Sequence, residues 1–244
     1  MTLPTSEMIP DDPNRLPPAR RRRARRLLAP FNSDERAAYI DGLAHRTSPT
    51  FDFFLFAILS ALVLVAGLIL NSPPLLLLGV LVAPFLGPVI GLALGTVVGS
   101  VKLFLRSAAG LIIGFMLIFL IGVGAGYLSR FKPPRDLYQA YFFARLTWEN
   151  LAVLVVTSII ATAALANANH RPGLISAARV ASVGMAYTFI IPLLSAGYGL
   201  GLGAPHLFPD GIVVLAVHLS WSLMFCVLAF AVLGCSPMTF FGYT

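Results

Sequence analysis

The sequence LVAPFLGPVIGLALG, from Leu81 to Gly95, is apolar enough for a membrane interior, yet it contains two prolines and three glycines. Proline removes a backbone donor and clashes with the preceding helical turn, so Pro84 and Pro88 predict an interruption in a membrane helix. The carbonyl groups freed by an interruption are costly in hydrocarbon unless another group satisfies them. We therefore expect this segment to lie inside the protein, away from lipid.

A second stretch, FIIPLLSAGYGLGLG from Phe189 to Gly203, has a similar pattern. Pro192 follows Pro84 by 108 positions, and Gly203 follows Gly95 by the same interval. We interpret this as an internal duplication, with three segments in each half and a broken segment in the middle. Because each half would cross the membrane an odd number of times, the halves would be inverted, as in many transporters.

The composition excludes an ordinary soluble domain. Of the 244 residues, 58% are hydrophobic and only 11% are charged, and the mean hydropathy is +0.86. A soluble domain carries about 25% charged residues, so this chain has too little polar surface to cover a globule in water. The composition therefore predicts an all-α integral membrane protein with several spans.

Six segments reach the length of about 20 mostly apolar residues that a membrane span needs. They are Phe51–Leu70, Pro74–Val98, Ser107–Leu128, Leu146–Ala168, Ala177–Leu202 and Gly211–Cys235. The second and fifth segments carry the interruptions. These two could instead be re-entrant hairpins, and the positive-inside rule does not decide, because the two groups of loop cations are equal. Their length favours six spans.

The spans divide the chain into successive regions. Ser33 is a good N-cap, and Asp34 and Glu35 suit a first turn, which predicts a helix before the first span. The regions are a basic arm expected to be disordered (1–32), an amphipathic juxtamembrane helix (33–46), a first transmembrane half (47–128), an interfacial connection rich in aromatic and basic residues (129–145), a second transmembrane half (146–236) and a tail (237–244).

Positive charge is concentrated near the start of the chain. Nine of the 17 lysines and arginines lie in the first 50 residues, and six of them form one block: Arg20, Arg21, Arg22, Arg23, Arg25 and Arg26. Beside a membrane domain, such a block is typical of a cytoplasmic arm that contacts lipid head groups, and we favour this interpretation over nucleic-acid binding. Because six spans return the chain to its starting side, both termini are predicted to be cytoplasmic.

The sequence contains no enzyme motif and no cluster of cysteine or histidine at metal-ligand spacing, so we expect no catalytic activity, metal or cofactor. Cys226 and Cys235 are interpreted as small apolar residues of the sixth span. Among ionisable residues predicted to lie at membrane depth, His218 is the leading candidate for a functional side chain. It could relay a proton or contact an anion, or it could only hydrogen-bond a neighbouring helix. Arg145 and Glu149 are four residues apart, which favours a structural ion pair along a helix.

Several motifs together resemble one family. An Asp is followed by GL, by N and by a proline-glycine motif with further glycines, at Asp52, Gly67, Leu68, Asn71, Pro84, Gly87 and Pro88. ARLTWENL and SVGMAYTFIIPLLSAGYGLGLG continue the likeness in the second half. Over about residues 50–235 the chain resembles the membrane family called domain of unknown function 389. The resemblance implies a multi-pass protein of the prokaryotic inner (plasma) membrane, and it implies architecture more than activity. His218 and the single Pro192 depart from the family pattern.

We hypothesise that the protein is a carrier or channel for a small solute or ion. The predicted pathway lies between the two broken segments, at Pro84, Gly87, Pro88, Gly91, Pro192, Ser195, Gly199 and His218. Half-helix termini at this place would supply partial charges for a substrate. The alternative is a non-transporting structural or assembly subunit of a larger membrane complex. Faces of small residues also predict a homo-oligomer, and the expected partners are membrane lipids and other membrane subunits, not nucleic acid.

Overall fold

The computed structural model describes residues 33–84, 86–131, 137–168 and 173–233. Its helices, in chain order, are α1 Ser33–Thr47, α2 Phe51–Ile69, α3 Pro73–Val82, α4 Gly87–Val98, α5 Val101–Ser129, α6 Tyr138–Phe143, α7 Trp148–Ala166, α8 Leu174–Leu202 and α9 Leu207–Val232. Every regular element in these ranges is a helix, which confirms the predicted all-α fold.

α2 and α3 form a tight antiparallel hairpin. The turn between them places Asn71 at a φ of 47°, a left-handed conformation that asparagine adopts more readily than most residues. Pro73 and Pro74 then begin α3, where a missing backbone N–H leaves no helical carbonyl unsatisfied. Gly67 and Gly79 bring the two helices together, because a Cβ at either position would collide with the opposite helix.

The interruption predicted from the sequence separates α3 from α4, which are bent by 53° relative to each other. Pro84 disfavours a helical conformation in the residue before it, and Ala83 accordingly has a ψ of 146°. α4 begins at Gly87, and Pro88 lies in its first turn, where proline is well tolerated. The first proline thus ends one helix, and the second begins the next.

α4 turns into α5 through a left-handed glycine. Gly99 has a φ of 76°, and the N–H of Ser100 donates to the carbonyl of Gly95 over 3.0 Å. This is a common way to end a helix, because glycine adopts a positive φ without steric cost. The Ser100 hydroxyl then caps α5 by accepting from the N–H of Leu103.

α8 lies at the centre of the bundle. It has extensive interfaces with α5, α7 and α9, and it also contacts α2, α3 and α6. Four glycines bring α5 and α8 close together: Gly122 and Gly126 of α5 face the backbone of α8, and Gly197 and Gly201 of α8 face the backbone of α5. Small residues four positions apart let two helix backbones approach, a common arrangement between helices in membranes.

The contacts of the α3–α4 pair support a full crossing of the bundle over a re-entrant hairpin. Leu76 of α3 lies against Gly67 near the end of α2, whereas Gly91 of α4 lies against Thr47, which precedes the start of α2. The pair therefore begins at one end of the bundle and finishes at the other. Within the described ranges, five helical segments are long and apolar enough to span a membrane, and the bent pair is a sixth when it is counted as one span.

The prediction of a second broken segment is wrong. α8 runs without interruption from Leu174 to Leu202, and Pro192 lies inside it. Ile191, the residue before this proline, stays helical and buried. No second proline follows within a turn to restart a helix, and the carbonyl that Pro192 leaves free accepts a hydrogen bond from His218 of α9.

The ends of α4 and α8 nevertheless share one geometry. Gly203 follows α8 with a φ of 78°, and the N–H groups of Gly203 and Ala204 both donate to the carbonyl of Gly199. This geometry pairs Gly203 with Gly99, whereas the sequence pattern pairs it with Gly95. An internal duplication stays a prediction. The alignment of the two halves by their helix ends differs by four residues from the alignment by their sequence pattern.

One boundary and one element differ clearly from the sequence-based expectation. α5 begins at Val101 rather than at Ser107, so Arg106 lies inside the helix and not before it. The connection between the two halves contains the short helix α6, which no periodicity predicts in six residues. The arginine block of the arm and Cys235 lie outside the described residues.

Candidate functional site

The break between α3 and α4 is held by a serine of α8. The backbone N–H of Leu86 donates to Ser182 Oγ over 2.8 Å, and both residues are buried. On its other side, the carbonyl of Leu86 accepts from the N–H of Val89 over 3.1 Å. Non-helical backbone at membrane depth requires such partners, so Ser182 fixes the break against α8.

A cavity of about 850 Å³ lies beside this break. Four of its lining residues flank the interruption: Ala83, Pro84, Gly87 and Pro88. The remaining walls come from the end of α1 and its connection to α2, the first turns of α2, the last residues of α3 and the part of α8 around Ser182. Because the break forms one wall, backbone that leaves the helical path borders open space.

Four residues with charged or titratable side chains line the cavity, three of them at the junction of α1 and α2, and we call the part of the lining that contains them the polar end. His45 and Arg46 come from the end of α1, Asp52 from the first turn of α2, and Arg179 from α8. Both arginines are exposed, and within the described part of the chain neither forms an ion pair with a carboxylate. Two guanidinium groups beside one carboxylate make this end of the cavity electropositive.

His218 supplies the hydrogen bond that Pro192 removes. A proline has no N–H for the carbonyl four residues earlier, which here is Thr188. The Nδ1 atom of His218 on α9 lies 2.8 Å from this carbonyl oxygen. Because a carbonyl can only accept, Nδ1 carries the hydrogen and donates it. This contact explains why α8 stays continuous at Pro192.

The other ring nitrogen of His218 belongs to a buried polar seam. His218, Ser222 and Cys226 follow one another at intervals of four on α9, and all three are fully buried. Ser222 Oγ lies 2.8 Å from Ser158 Oγ of α7, and Cys226 Sγ donates to the carbonyl of Ser158. Within the described residues, His218 Nε2 and Thr162 Oγ1 are buried without a hydrogen-bond partner.

The two proline sites are not brought together. α8 contacts the break at Ser182, ten residues before Pro192, which corresponds to about 15 Å along a helix. Pro192 instead lies against α9, where its carbonyl faces Gly211. Of the eight predicted pathway residues, only Pro84, Gly87 and Pro88 line the cavity.

The other predicted pathway residues have separate surroundings. Gly91 lies against Ser107 and Thr47, which allows the end of α1 to approach α4. Gly199 lies against Leu207 at the α8–α9 turn. Ser195 is fully buried, and its hydroxyl has no partner among the described residues. None of these three positions borders the cavity at the break.

The predicted ion pair between Arg145 and Glu149 is not formed. α7 begins only at Trp148, so Arg145 precedes the helix and the spacing of four does not place the two side chains on one helical face. Both residues are exposed. Among the described residues, no group of three histidine, cysteine or acidic side chains could hold a metal ion.

Sequence reasoning missed the polar end of the cavity. Arg179 lies near the start of a predicted span, where a cation that reaches lipid head groups is expected, and Ser182 belongs to no recognisable motif. Both residues acquire their role because α8 lies against the break, which is a long-range contact. Ser182 lies about one turn after Arg179, and a hydroxyl residue near an arginine is the one sequence signal that could identify it. Many membrane helices contain the same pattern.

Comparison with known proteins places this architecture in a family. The model of the family described as Domain of unknown function (DUF389) matches residues 80–225, which include the break, Ser182 and His218. The uncharacterized protein MJ0678 of Methanocaldococcus jannaschii is 25% identical over 183 residues, which are 75% of this chain and 54% of that protein. The chain thus spans about half the length of this relative. No solved structure matches the chain. Because the family model covers more than half of the sequence, the chain belongs to the DUF389 family.

Proposed function

We propose that this membrane protein is a carrier or channel for a small solute or ion, and that its pathway includes the cavity at the α3–α4 break. The observation that carries the proposal is the cavity of about 850 Å³ whose wall contains Pro84, Gly87 and Pro88. An interrupted helix that borders a cavity is a recurring way to build a binding site in transporters. A passive bundle gains nothing from open space beside non-helical backbone.

The ends of the two half-helices support this proposal. The carbonyl end of α3 at Val82 and the N-terminal end of α4 at Gly87 both adjoin the break. Some of their backbone groups are paired, since the carbonyl of Val80 accepts from Ala83 and the N–H of Val89 donates to Leu86, but the two helix dipoles still end there. The first end carries partial negative charge and the second partial positive charge. A partly dehydrated ion or polar solute at the break would therefore meet both signs of charge within a short distance.

The proposed pathway differs from the one expected from the sequence. It uses one break, because α8 is continuous and Pro192 lies away from the cavity. His218 donates to the carbonyl of Thr188, so its first role is to stabilise α8. A proton-relay role for its other nitrogen would need a group or water that reaches the polar seam.

The proposed orientation has both termini in the cytoplasm. The arginine block favours that side for the N-terminus. In support, α1 contacts the end of α7 through a hydrogen bond from the Tyr39 hydroxyl to the carbonyl of Ala166. α7 and α9 both pack against α8 and are joined to its two ends by short connections, so both run antiparallel to it, and the described end of α9 is directed to the same end of the bundle as α1.

Flux through reconstituted protein tests the proposal. The full-length protein is placed in liposomes, and inorganic ions and small organic anions are screened for flux. Pro84→Ala is expected to reduce flux severalfold, because a restored backbone donor changes the geometry of the break. Pro192→Ala is the matched control, since this proline lies outside the cavity, and it should leave flux near the wild-type level.

The alternative function makes the opposite prediction. A structural subunit would show no flux for any solute while remaining folded in detergent and in liposomes.

The homo-oligomer also stays a prediction, because Gly122 and Gly126, which could have mediated self-association, are used inside the chain against α8.

A further inference from the structure

We infer that the cavity at the break binds the phosphoryl head group of an anionic phospholipid, with the acyl chains along the apolar side of the same cavity. This inference rests on the proposed function in its use of that cavity. It concerns binding rather than flux, so the two can be tested separately.

The polar end of the cavity has the chemistry to bind a phosphate group. Arg46 and Arg179 both line it, and neither is neutralised by a carboxylate among the described residues. Guanidinium groups bind phosphate oxygens through two parallel hydrogen bonds, which ammonium groups cannot do. Asp52 is the one carboxylate in the described lining, so the arginines leave an excess of positive charge. The start of α4 at Gly87 adds a smaller positive contribution.

The apolar side of the cavity distinguishes a lipid from a free anion. Phe56 and Leu59 of α2, Leu81 of α3 and Val180 of α8 all line it. These side chains are also exposed at the protein surface, Leu81 by 57% and Val180 by 72%. The apolar part of the lining is therefore accessible from the outer surface of the helix bundle, which acyl chains surround in a membrane.

The dimensions fit a molecule with two chemically different parts. On α2 the lining extends from Asp52 to Leu59, a distance of about 10 Å along the helix. A free phosphate would occupy only the polar end and leave the apolar wall without a function. An anionic phospholipid would fill both ends, with its phosphate at Arg46 and Arg179 and its first methylene groups beside Phe56 and Leu59.

Lipid binding to the delipidated full-length protein in a nonionic detergent tests the inference. Native mass spectrometry measures the affinities for phosphatidylglycerol and for phosphatidylcholine with the same acyl chains. We expect the wild-type protein to prefer phosphatidylglycerol. Arg46→Gln and Arg179→Gln should each lower that affinity about tenfold, since each removes a charged hydrogen-bond donor, and should leave phosphatidylcholine binding unchanged.

Arg106→Gln is the matched control, because Arg106 is an exposed cation of α5 outside the cavity lining. It should leave the preference unchanged. Leu81→Ser tests the apolar wall without changing any charge, and it should also weaken phosphatidylglycerol binding. If an arginine variant does not fold, the comparison of head groups and the Leu81 variant still decide.

Equal affinities for the two lipids, or equal losses in the Arg46 and Arg106 variants, would overturn the inference. Competition by inorganic phosphate as strong as by the lipid would show a site for a free anion and overturn the assignment to a lipid. Flux without a lipid preference would contradict this inference alone. A lipid preference without any flux would contradict the proposed function alone.

Discussion

Two proline-containing segments of this protein meet the same backbone problem with opposite results. At the first, Pro84 ends α3 and Pro88 begins α4, so the helix is interrupted. At the second, α8 continues through Pro192. The neighbourhoods also differ: the break borders a cavity of about 850 Å³, whereas the helix from 190 to 199 is buried throughout.

The difference shows that a proline does not decide by itself whether a membrane helix breaks. At Pro192 a donor from another helix, His218 Nδ1, takes over the freed carbonyl of Thr188, and the helix keeps its course. At the break the partner is an acceptor, Ser182 Oγ, which binds the N–H of Leu86 in a segment that is already non-helical. The backbone around Pro192 is therefore enclosed by packed helices, whereas the backbone at the break borders a cavity.

The largest effect on stability is expected at the close contact between α5 and α8, which holds the continuous helix α8 in place. In Gly126→Ala, the new Cβ would meet the carbonyl of Tyr198 and lie 2.7 Å from the backbone nitrogen of Leu202. Backbone atoms cannot move aside as a side chain can. We expect a loss of about 2–3 kcal/mol in the free energy of unfolding, which exceeds the gain of about 0.5–1 kcal/mol from replacing a helical glycine. Thermal unfolding in detergent measures it.

Gly124→Ala is the matched control on the same helix. A Cβ at Gly124 would have no atom within 4 Å, so this variant should be as stable as the wild type or slightly more stable. Equal unfolding temperatures for the two variants would show that α5 and α8 are not in close contact, and would remove the support for a rigid α8.

The second-largest effect on stability is expected at His218, the donor that keeps α8 continuous. His218→Leu leaves the carbonyl of Thr188 without its partner, but it also removes Nε2, a buried acceptor without a partner. The two contributions have opposite signs, so the single variant is hard to interpret. In the Pro192→Ala background the carbonyl regains a helical N–H, and His218→Leu should cost about 1–2 kcal/mol less than in the wild type.

Unfolding of the wild type, both single variants and the double variant gives this coupling energy. A coupling near zero would mean that His218 does not compensate for Pro192. The continuity of α8 would then have to come from its packing alone, as in the contact with α5.

The sequence predicts the first site well and the second poorly, for a physical reason. Two prolines four residues apart act on their own backbone, so Pro84 and Pro88 interrupt the helix wherever it is placed. The outcome at Pro192 depends on His218, 26 positions later, which is near Thr188 only because α8 and α9 are antiparallel neighbours. No local pattern contains that contact.

The polar end of the cavity could not be predicted for a similar reason. Arg46 and Arg179 are far apart in the sequence, and each alone is typical of a cation at the membrane boundary. They line one cavity because Gly91 lets the end of α1 approach α4, while Ser182 holds α8 against the break. Composition and periodicity predicted the membrane class and five of the six spans within a few residues, because these depend on apolar length alone.

The smallest effect is expected at the break. Ser182→Ala removes the acceptor for the N–H of Leu86, and a buried donor without a partner costs about 1–3 kcal/mol. The adjacent cavity can admit water as a substitute, so we expect a loss near 1 kcal/mol. Hydrogen exchange of the Leu86 amide should accelerate, because its protection depends on this bond. Ser176→Ala, an exposed serine of the same helix, is the control. Unchanged exchange at Leu86 would mean that the break is held by its prolines alone, and the two proline sites would then differ in their own sequence rather than in the partners supplied by α8 and α9.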